Sequence, residues 1–349
     1  MKTTIIAIKN AKDNAFLDVE SCVVSALNSI GVFVNEITVC DCDDISSFTR
    51  AYENKGEITV VLGKENCSFD FAAACGDIPF DGQGFHKDKT FVAVAPQNLN
   101  GYFNTFTDRI QDYLGRLTGK ITFKLFGVTK SEVAAAANKI TGEFPSVFFN
   151  VTSKYSDIRA DLFYGESSPK MQVDAAIKSF ITAFKDNIYA EDDVSLQQRF
   201  YDLLKLRRLT CSTAESMTGG RIASTIVEVS GASDIFYEGL VTYSTLAKER
   251  RLGVNHKTVV ENTVVSSEVA YEMSLELLKY VDVAITITGY AGSDVHPDKD
   301  DGLCFIGIGV KDKTEVYRFK FDGTRKENIR SAANTAIYLA LKTVENTEF

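Results

Sequence analysis

The residues best suited to chemistry are small polar side chains and glycines at positions 215–220. An apolar segment runs into the sequence ESMTGG there, and a helix is predicted directly afterwards. Two glycines at a strand-to-helix turn let the backbone approach a ligand closely. N–H groups at a helix start favour an anion or an oxyanion, and Ser216 and Thr218 add hydroxyls at the same point. The same pattern also suits an ordinary capped helix after a tight turn, so spacing alone leaves both interpretations open.

Later segments place further polar residues where predicted strands end or helices begin: Tyr243 and Lys248, Thr288 and Gly289, and Arg325 and Arg330. The carboxyl ends of parallel strands are where sheets of this kind bind ligands. The segments form one polar cluster only if the sheet brings them together. Otherwise each residue is an ordinary strand-end or surface side chain.

Apolar spacing predicts the elements that position these segments. In the first third of the chain, strands are predicted at 3–8, 32–40, 58–62 and 89–95, helices at 16–29 and 99–114, and a loop with at most one short helix at 63–88. Strands that alternate with helices indicate a parallel sheet flanked by helices.

The rest of the chain divides into a small α+β segment and a larger α/β segment. In the former, strands are predicted at 120–126, 146–151 and 159–163, and helices at 132–140, capped by Ser131, and at 173–184. In the latter, strands are predicted at 210–214, 239–243, 281–288, 302–310 and 314–321, and helices at 192–206, 220–229, 267–280 and 326–344. We therefore expect an α/β protein with three domains, at 1–117, 118–190 and 191–349.

Composition excludes several classes of protein. The 349 residues have a net charge of -9, which argues against a surface that coats nucleic acid. No apolar run is long enough to span a bilayer, and the N-terminus lacks the features of a secretory signal, so we expect a cytoplasmic protein without membrane contact. Seven cysteines, an odd number, fit reduced thiols. Only three histidines occur, far apart in sequence, and we expect no metal site.

Four motifs in this order resemble the C-terminal domain of CinA-type proteins: TAESMTGG at 213–220, GLVTYS followed by AK at 239–248, VSSEVA at 265–270 and ITGYAGS at 287–293. The resemblance covers roughly residues 195–349. The segments FGVTKSE at 126–132 and NIYAEDD at 187–193 resemble the middle segment of full-length members. More weakly, the N-terminal third resembles their molybdopterin-binding-like domain, which is a three-layer fold.

The resemblance implies hydrolysis of the carboxamide of nicotinamide mononucleotide to nicotinic acid mononucleotide and ammonia, in pyridine-nucleotide salvage. Ser216 matches the proposed nucleophile of the family and requires neither a metal nor a cofactor. A serine hydroxyl needs a base, for which Lys248 is the candidate, provided that it is desolvated or near another cation. Tyr243 would orient Lys248 or relay a proton.

Binding roles also follow from the resemblance. The N–H groups of Gly219 and Gly220 would stabilise the oxyanion or hold the phosphate, and Thr288 and Gly289 would line the nucleotide pocket. Either Arg330 or Arg325 would bind the phosphate, because a guanidinium fits it bidentately. The substrate-binding set predicted in this way is Thr218, Gly219, Gly220, Thr288, Gly289, Arg325 and Arg330.

The chain departs from the family pattern in two places. Near the site, Met217 replaces the usual cysteine, and Ser293 stands where proline is common. The larger departure is N-terminal, where the Gly-rich phosphate- and metal-binding loop of the relatives is replaced by KENCSFD at 64–70. We expect a retained scaffold that has lost its active site and serves in homodimer contacts. The alternative function is a non-enzymatic nucleotide sensor or an accessory protein in competence or DNA repair, and N-terminal pyrophosphatase activity is disfavoured.

Overall fold

The computed structural model describes residues 2–9, 23–28, 30–63, 74, 85–87, 90–94, 107, 110–111, 118–165, 167–292 and 301–348. The chain divides into two compact units, one of Met1–Lys120 with Phe163–Val173 and the other of Ile121–Leu162 with Asp174–Phe349. The boundaries of the three domains drawn from the sequence stay a prediction. No helix in the described part of the chain has the length and apolar character needed to cross a membrane.

The N-terminal sheet has the strand order β2-β1-β3-β5-β4. Its strands are β1 (Thr3–Lys9), β2 (Glu36–Asp41), β3 (Ile58–Gly63), β4 (Phe85–Lys87) and β5 (Thr90–Val94). Strands β1, β2, β3 and β5 are parallel, as predicted, and apolar side chains such as Ile5 and Val60 form its core. The edge strand β4 runs antiparallel to β5, so the prediction of no strand within 63–88 is wrong.

Helices beside this sheet match the predictions in part. Residues 23–28 are helical, and helix α1 (Ile45–Glu53), capped by Asp44, was not predicted, although Ile45, Phe48 and Tyr52 recur at helical spacing. Most of the helices predicted at 16–29 and 99–114 lies outside the described residues, as does the segment 64–70, on which the expected loss of an N-terminal active site depends.

The next sheet has the strand order β7-β8-β6-β9. Its elements are β6 (Thr118–Leu125), α2 (Lys130–Glu143), β7 (Val147–Lys154), β8 (Asp157–Gly165), α3 (Lys170–Phe184) and β9 (Ile188–Ala190). The order of elements agrees with the sequence, although the short β9 was not predicted. Helix α2 is capped by Thr129, not Ser131, because Thr129 forms a reciprocal capping box with Glu132.

The C-terminal sheet has the strand order β11-β10-β12-β13-β14. Its elements are α4 (Leu196–Arg207), β10 (Cys211–Glu215), α5 (Arg221–Val227), β11 (Phe236–Val241), α6 (Thr245–Leu252), α7 (His256–Asn262), α8 (Ser267–Leu277), β12 (Val283–Gly289), β13 (Leu303–Val310), β14 (Lys313–Lys320) and α9 (Arg325–Asn346). Strands β10, β11 and β12 are parallel, and β13 and β14 form an antiparallel hairpin.

The register of this sheet aligns three strand ends. Glu215 of β10 pairs with Val241 of β11 and with Ile287 of β12. The residues that follow these partners, Ser216, Thr242 and Thr288, therefore lie side by side at one edge. The sheet thus brings strand ends together, which is the condition under which the sequence allowed one polar cluster.

Candidate active site

Ser216 is the first residue after the buried strand β10. Its backbone N–H donates to the Ile287 carbonyl at 3.1 Å, which continues the pairing with β12 beyond the end of β10. Its side chain is 7% exposed and lines a cleft of about 1000 Å³. The hydroxyl is thus held in a fixed place with limited access to solvent.

Lys248 reaches this hydroxyl from helix α6, which Ser244 caps. The lysine is 1% exposed, and its Nζ lies 2.8 Å from Ser216 Oγ and 2.8 Å from the Thr242 carbonyl oxygen. The predicted convergence of residues 216 and 248 in one cleft is therefore present in the structure. Thr242, and not Tyr243, orients the amine.

Burial lowers the pKa of Lys248 from 10.5 to about 8. Among the described residues, no carboxylate forms an ion pair with this amine that would oppose the desolvation. The Thr242 carbonyl can only accept, so one N–H of the amine points to it. In the neutral state the lone pair can then accept the proton of the Ser216 hydroxyl. This arrangement suits a general base.

Glu215 holds the turn after Ser216 and the start of α5. Its fully buried carboxylate accepts from the backbone N–H groups of Gly220 at 3.0 Å, Ile222 at 3.0 Å and Ala223 at 2.8 Å. A carboxylate at a helix N-terminus is stabilised by these amides and by the helix dipole. Glu215 was part of the motif read from the sequence, but nothing in its spacing showed which donors it would accept.

The hydrogen bonds of Glu215 correct the predicted role of the two glycine amides. The Gly220 N–H is committed to Glu215, and the Gly219 N–H donates to the Ser216 carbonyl at 3.1 Å. In the described part of the chain, the amides of Met217 and Thr218 have no acceptor, and the buried hydroxyl of Thr218 has no partner. Any oxyanion contact from this turn therefore falls to Met217 or Thr218.

The cleft is lined by the ends of the sheet, by α6 and by the start of α9. Its lining includes Ser216, Met217, Tyr243, Lys248, Val264, Thr288, Gly289, Tyr290, Asp301, Phe321, Asp322, Arg325 and Asn328. The Thr288 hydroxyl donates to the Val264 carbonyl at 2.8 Å, so it serves the fold. Gly289 lines the cleft where a side chain would collide with Met217 and Cys304.

Tyr243 lies at the mouth of the cleft, 62% exposed. Its hydroxyl accepts from Arg325 Nη2 at 3.2 Å, whereas Lys248 Nζ bonds to Ser216 Oγ and to the Thr242 carbonyl oxygen. The prediction that Tyr243 orients Lys248 is therefore wrong in this geometry. Its position on the lining suits contact with a ligand.

The two candidate arginines occupy different places. Arg325 lines the cleft, and its Nη1 donates to the Gly292 carbonyl at 2.7 Å. Arg330 donates to the Tyr155 hydroxyl, and its guanidinium carbon lies 4.8 Å from the centre of that ring. Arg330 lines a neighbouring cavity of about 540 Å³, which Arg325 also borders. Of the two candidates, Arg325 is therefore the one that lines the same cleft as Ser216.

Asn328 is a buried residue of this site that sequence reasoning missed. Its Nδ2 donates to the Ala291 carbonyl at 2.9 Å, and its Oδ1 accepts from the Gly323 N–H at 2.9 Å. These bonds hold two loops of the cleft wall together. A single polar residue inside a predicted helix gave no signal for this role.

Away from the cleft, one cluster of side chains in the described part of the chain is of the types that bind metal ions. Ligand atoms of Asp41, Cys42 and Asp43 lie within 4.8 Å of one another, but the two aspartates are exposed. The Asp41 carboxylate also accepts from the Asp43 N–H at 3.0 Å, as in an ordinary turn. We assign no ion to this cluster.

Comparisons with known proteins agree with the motifs. The CinA C-terminal domain matches residues 193–344. The chain is similar to a putative competence-damage inducible protein of Caldanaerobacter subterraneus subsp. tengcongensis, 32% identical over 247 residues, which are 68% of this chain and 60% of that protein. A protein of the same name from Clostridium beijerinckii is 42% identical over 145 residues, 41% of this chain and 35% of that protein.

Among solved structures, competence damage-inducible protein A (ComA) from Klebsiella pneumoniae subsp. pneumoniae is 27% identical, covers 44% of this chain and 97% of its own, and has a TM-score of 0.43. The chain spans only 60% and 35% of the lengths of the two curated relatives.

Proposed function

This chain belongs to the CinA family through its domain at residues 193–344, and we propose that this domain is an amidohydrolase that converts nicotinamide mononucleotide to nicotinic acid mononucleotide and ammonia. The observation that carries the proposal is the 2.8 Å contact between Lys248 Nζ and Ser216 Oγ in a cleft. A buried amine with a lowered pKa beside a hydroxyl is the arrangement that activates a serine without histidine.

In the proposed reaction, neutral Lys248 removes the hydroxyl proton as Ser216 Oγ attacks the carboxamide carbon. The C=O electrons move to oxygen, and a tetrahedral intermediate forms. When it collapses, the C–N bond breaks and the proton on Lys248 passes to the leaving nitrogen, which departs as ammonia. Water then attacks the ester carbon while Lys248 accepts its proton. Cleavage of the ester returns that proton to Ser216 Oγ and releases the carboxylic acid, which loses its own proton to solvent to give the carboxylate product.

Two further groups support this sequence of steps. We assign the oxyanion contact to the Met217 N–H, because Met217 lines the cleft and its amide has no acceptor among the described residues. We assign the phosphate to Arg325, because in the described part of the chain two protein acceptors bond to its guanidinium, which has five N–H donors. The Met217 N–H takes the role predicted for the Gly219 and Gly220 amides, and Arg325 is chosen over Arg330, because the structure uses those other groups in hydrogen bonds elsewhere.

Ammonia release from nicotinamide mononucleotide tests the proposal. We expect Ser216→Ala to lower the rate on the order of 10³-fold or more, and Lys248→Met to do the same, because each removes one half of the pair. Ser212→Ala is the matched control. It removes another buried hydroxyl of β10, one that is outside the cleft lining, and should keep the wild-type rate within about 2-fold. Ammonia release by Ser216→Ala at the wild-type rate would contradict the mechanism.

The second candidate is a nucleotide sensor or an accessory protein in competence. The names of the relatives, which refer to competence and damage, favour it. Binding of nicotinamide mononucleotide by the wild-type chain without ammonia release would support this alternative. A cytoplasmic location, a homodimer and an inactive N-terminal domain stay predictions.

A further inference from the structure

A basic cavity of about 540 Å³ lies beside the Ser216 cleft. The charged side chains among its described lining residues are all cationic: Arg221, Arg325, Lys326 and Arg330. Thr218 also lines it, with a buried hydroxyl that has no partner among the described residues. Phosphate oxygens accept from hydroxyls and, bidentately, from guanidinium groups. A phosphate-bearing anion therefore suits the lining of the basic cavity.

Arg330 is the lining residue that a segment outside the family match contacts. Tyr155 precedes residues 193–344 and lies in the two-residue turn between β7 and β8. Its hydroxyl accepts from Arg330 Nη1, and its ring centre lies 4.8 Å from the guanidinium carbon. Within the described part of the chain, the Arg330 side chain forms no other hydrogen bond, so the remaining N–H donors of its guanidinium are available to a ligand.

The β7–β8 turn holds Tyr155 in a fixed place. Tyr155 and Ser156 have φ of 52° and 66°, a left-handed backbone that residues other than glycine keep only where their surroundings hold them there. Asn334, one helical turn after Arg330, donates to the Tyr155 carbonyl at 3.0 Å. Helix α9 thus contacts both the side chain and the backbone of this one turn residue.

The strand that follows the turn is anchored as well. Asp157, the first residue of β8, accepts from Lys124 Nζ of β6 at 3.0 Å and from the Tyr189 hydroxyl of β9 at 2.9 Å. These bonds tie the turn to two further strands of its own sheet. Tyr155 therefore meets α9 from a turn with little freedom to move.

We propose that Tyr155 is a positioning residue that sets the affinity of the basic cavity for phosphate-bearing anions. An unheld arginine side chain loses rotamer freedom when it binds an anion, and this loss lowers the affinity. Tyr155 holds the Arg330 guanidinium in place before the anion binds, so the loss on binding is smaller. A residue outside the family match thereby takes part in ligand binding within it. The inference goes beyond the proposed function, because it concerns anion binding and needs no hydrolysis.

Calorimetry with inorganic pyrophosphate and the full chain tests this role. We expect Tyr155→Ala to weaken pyrophosphate binding about 3- to 10-fold, because the guanidinium of Arg330 is then no longer held. Tyr155→Phe keeps the ring and loses only the hydrogen bond, so its loss should be smaller, about 2- to 3-fold. Ser156→Asn is the matched control. It replaces the exposed neighbour in the same turn by a residue that tolerates a positive φ, and it should leave the affinity unchanged.

A double-mutant cycle determines whether Tyr155 acts through Arg330. Arg330→Gln should weaken pyrophosphate binding about 10-fold or more, and Tyr155→Ala added to it should cause no further loss. A merely structural role of Tyr155 would lower the affinity by the same factor with and without Arg330. Thermal unfolding shows that each variant is folded at the temperature of the titration. Should Tyr155→Ala not fold, Tyr155→Phe takes its place in the cycle.

Three results would overturn the inference. Wild-type affinity in Tyr155→Ala would show that the contact does not set the affinity. Equal losses with and without Arg330 would show that Tyr155 does not act through that guanidinium. Absence of pyrophosphate binding in the wild-type chain, or binding that Arg330→Gln leaves unchanged, would show that the basic cavity does not hold such an anion. Ammonia release has no part in the test, so failure of the proposed function leaves this inference standing.

Discussion

Lys248 shows how burial alone prepares a lysine to act as a base. Its pKa is lowered to about 8 by desolvation, so about one tenth of the amine is neutral at pH 7. The same burial costs stability. That cost is fully present below pH 8 and disappears as the pH rises toward 10.5, where the unfolded chain also loses the proton. The site therefore gives up stability for reactivity at one residue.

The pH dependence of ammonia release follows from this pKa. The reaction needs the neutral amine, so kcat/KM should rise about tenfold per pH unit below about 8 and level off above it. Tyr243, Tyr290, Asp301, Asp322 and Arg325 are the other charged or titratable groups on the cleft lining. A rate measured from about pH 6 to about pH 9 checks the profile. A flat profile, or a rate that falls as the pH rises through 8, would show that Lys248 is not the base.

Between strand β10 and helix α5, one carboxylate organises the whole turn. Glu215 accepts from three backbone N–H groups of the turn and helix, and Thr213 Oγ1 donates a fourth hydrogen bond at 3.3 Å. Helix α5 has only seven residues and its N-cap is a glycine without a side-chain cap. Glu215 therefore supplies the cap that α5 lacks and fixes the backbone next to Ser216.

Glu215→Gln should disrupt this element. The amide that replaces one carboxylate oxygen carries hydrogens and faces N–H donors, so accepted bonds are lost. We expect the free energy of unfolding to fall by about 2 to 3 kcal/mol and ammonia release to fall with it. Glu228→Gln makes the same change at the exposed far end of α5 and should stay within about 0.5 kcal/mol. Urea unfolding of both variants measures the difference, and equal midpoints would contradict this role of Glu215.

At this scale, the sequence predicted the order of the strands along the chain, and it left open whether the sheet brings their ends together. Long apolar strands with a polar residue after each are visible as a pattern, and the parallel pairing of β10, β11 and β12 brings their ends together. Helices α6 and α7 were missed because they are short and mostly polar. The sequence also could not predict the hydrogen-bond partners of the polar side chains. Glu215, Thr242 and Asn328 act through backbone groups whose positions only the fold defines.

At the scale of the whole molecule, the hydrophobic core around α9 extends beyond the residues that match the family. Phe126 and Tyr189 lie before residue 193, yet they belong to the same buried cluster as Ile337 and Leu341 of α9. Phe126 stacks on Tyr338 at 4.6 Å between ring centres. The Asn334 side chain donates to the Tyr155 carbonyl at 3.0 Å. One face of α9 is therefore covered by residues of the preceding segment.

A fragment of residues 193–349 should consequently be less stable than one of residues 118–349. Loss of Phe126 and Tyr189 removes about 1.5 to 3 kcal/mol of burial for each side chain, which corresponds to a midpoint lower by on the order of 10 °C. Both fragments contain every residue of the cleft, so ammonia release well below the midpoint should be similar. Tyr338→Ala in the longer fragment removes the partner of Phe126 and should reproduce part of the loss. Thermal unfolding compares the three proteins, and equal midpoints for the two fragments would show that the earlier segment only lies against α9 without stabilising it.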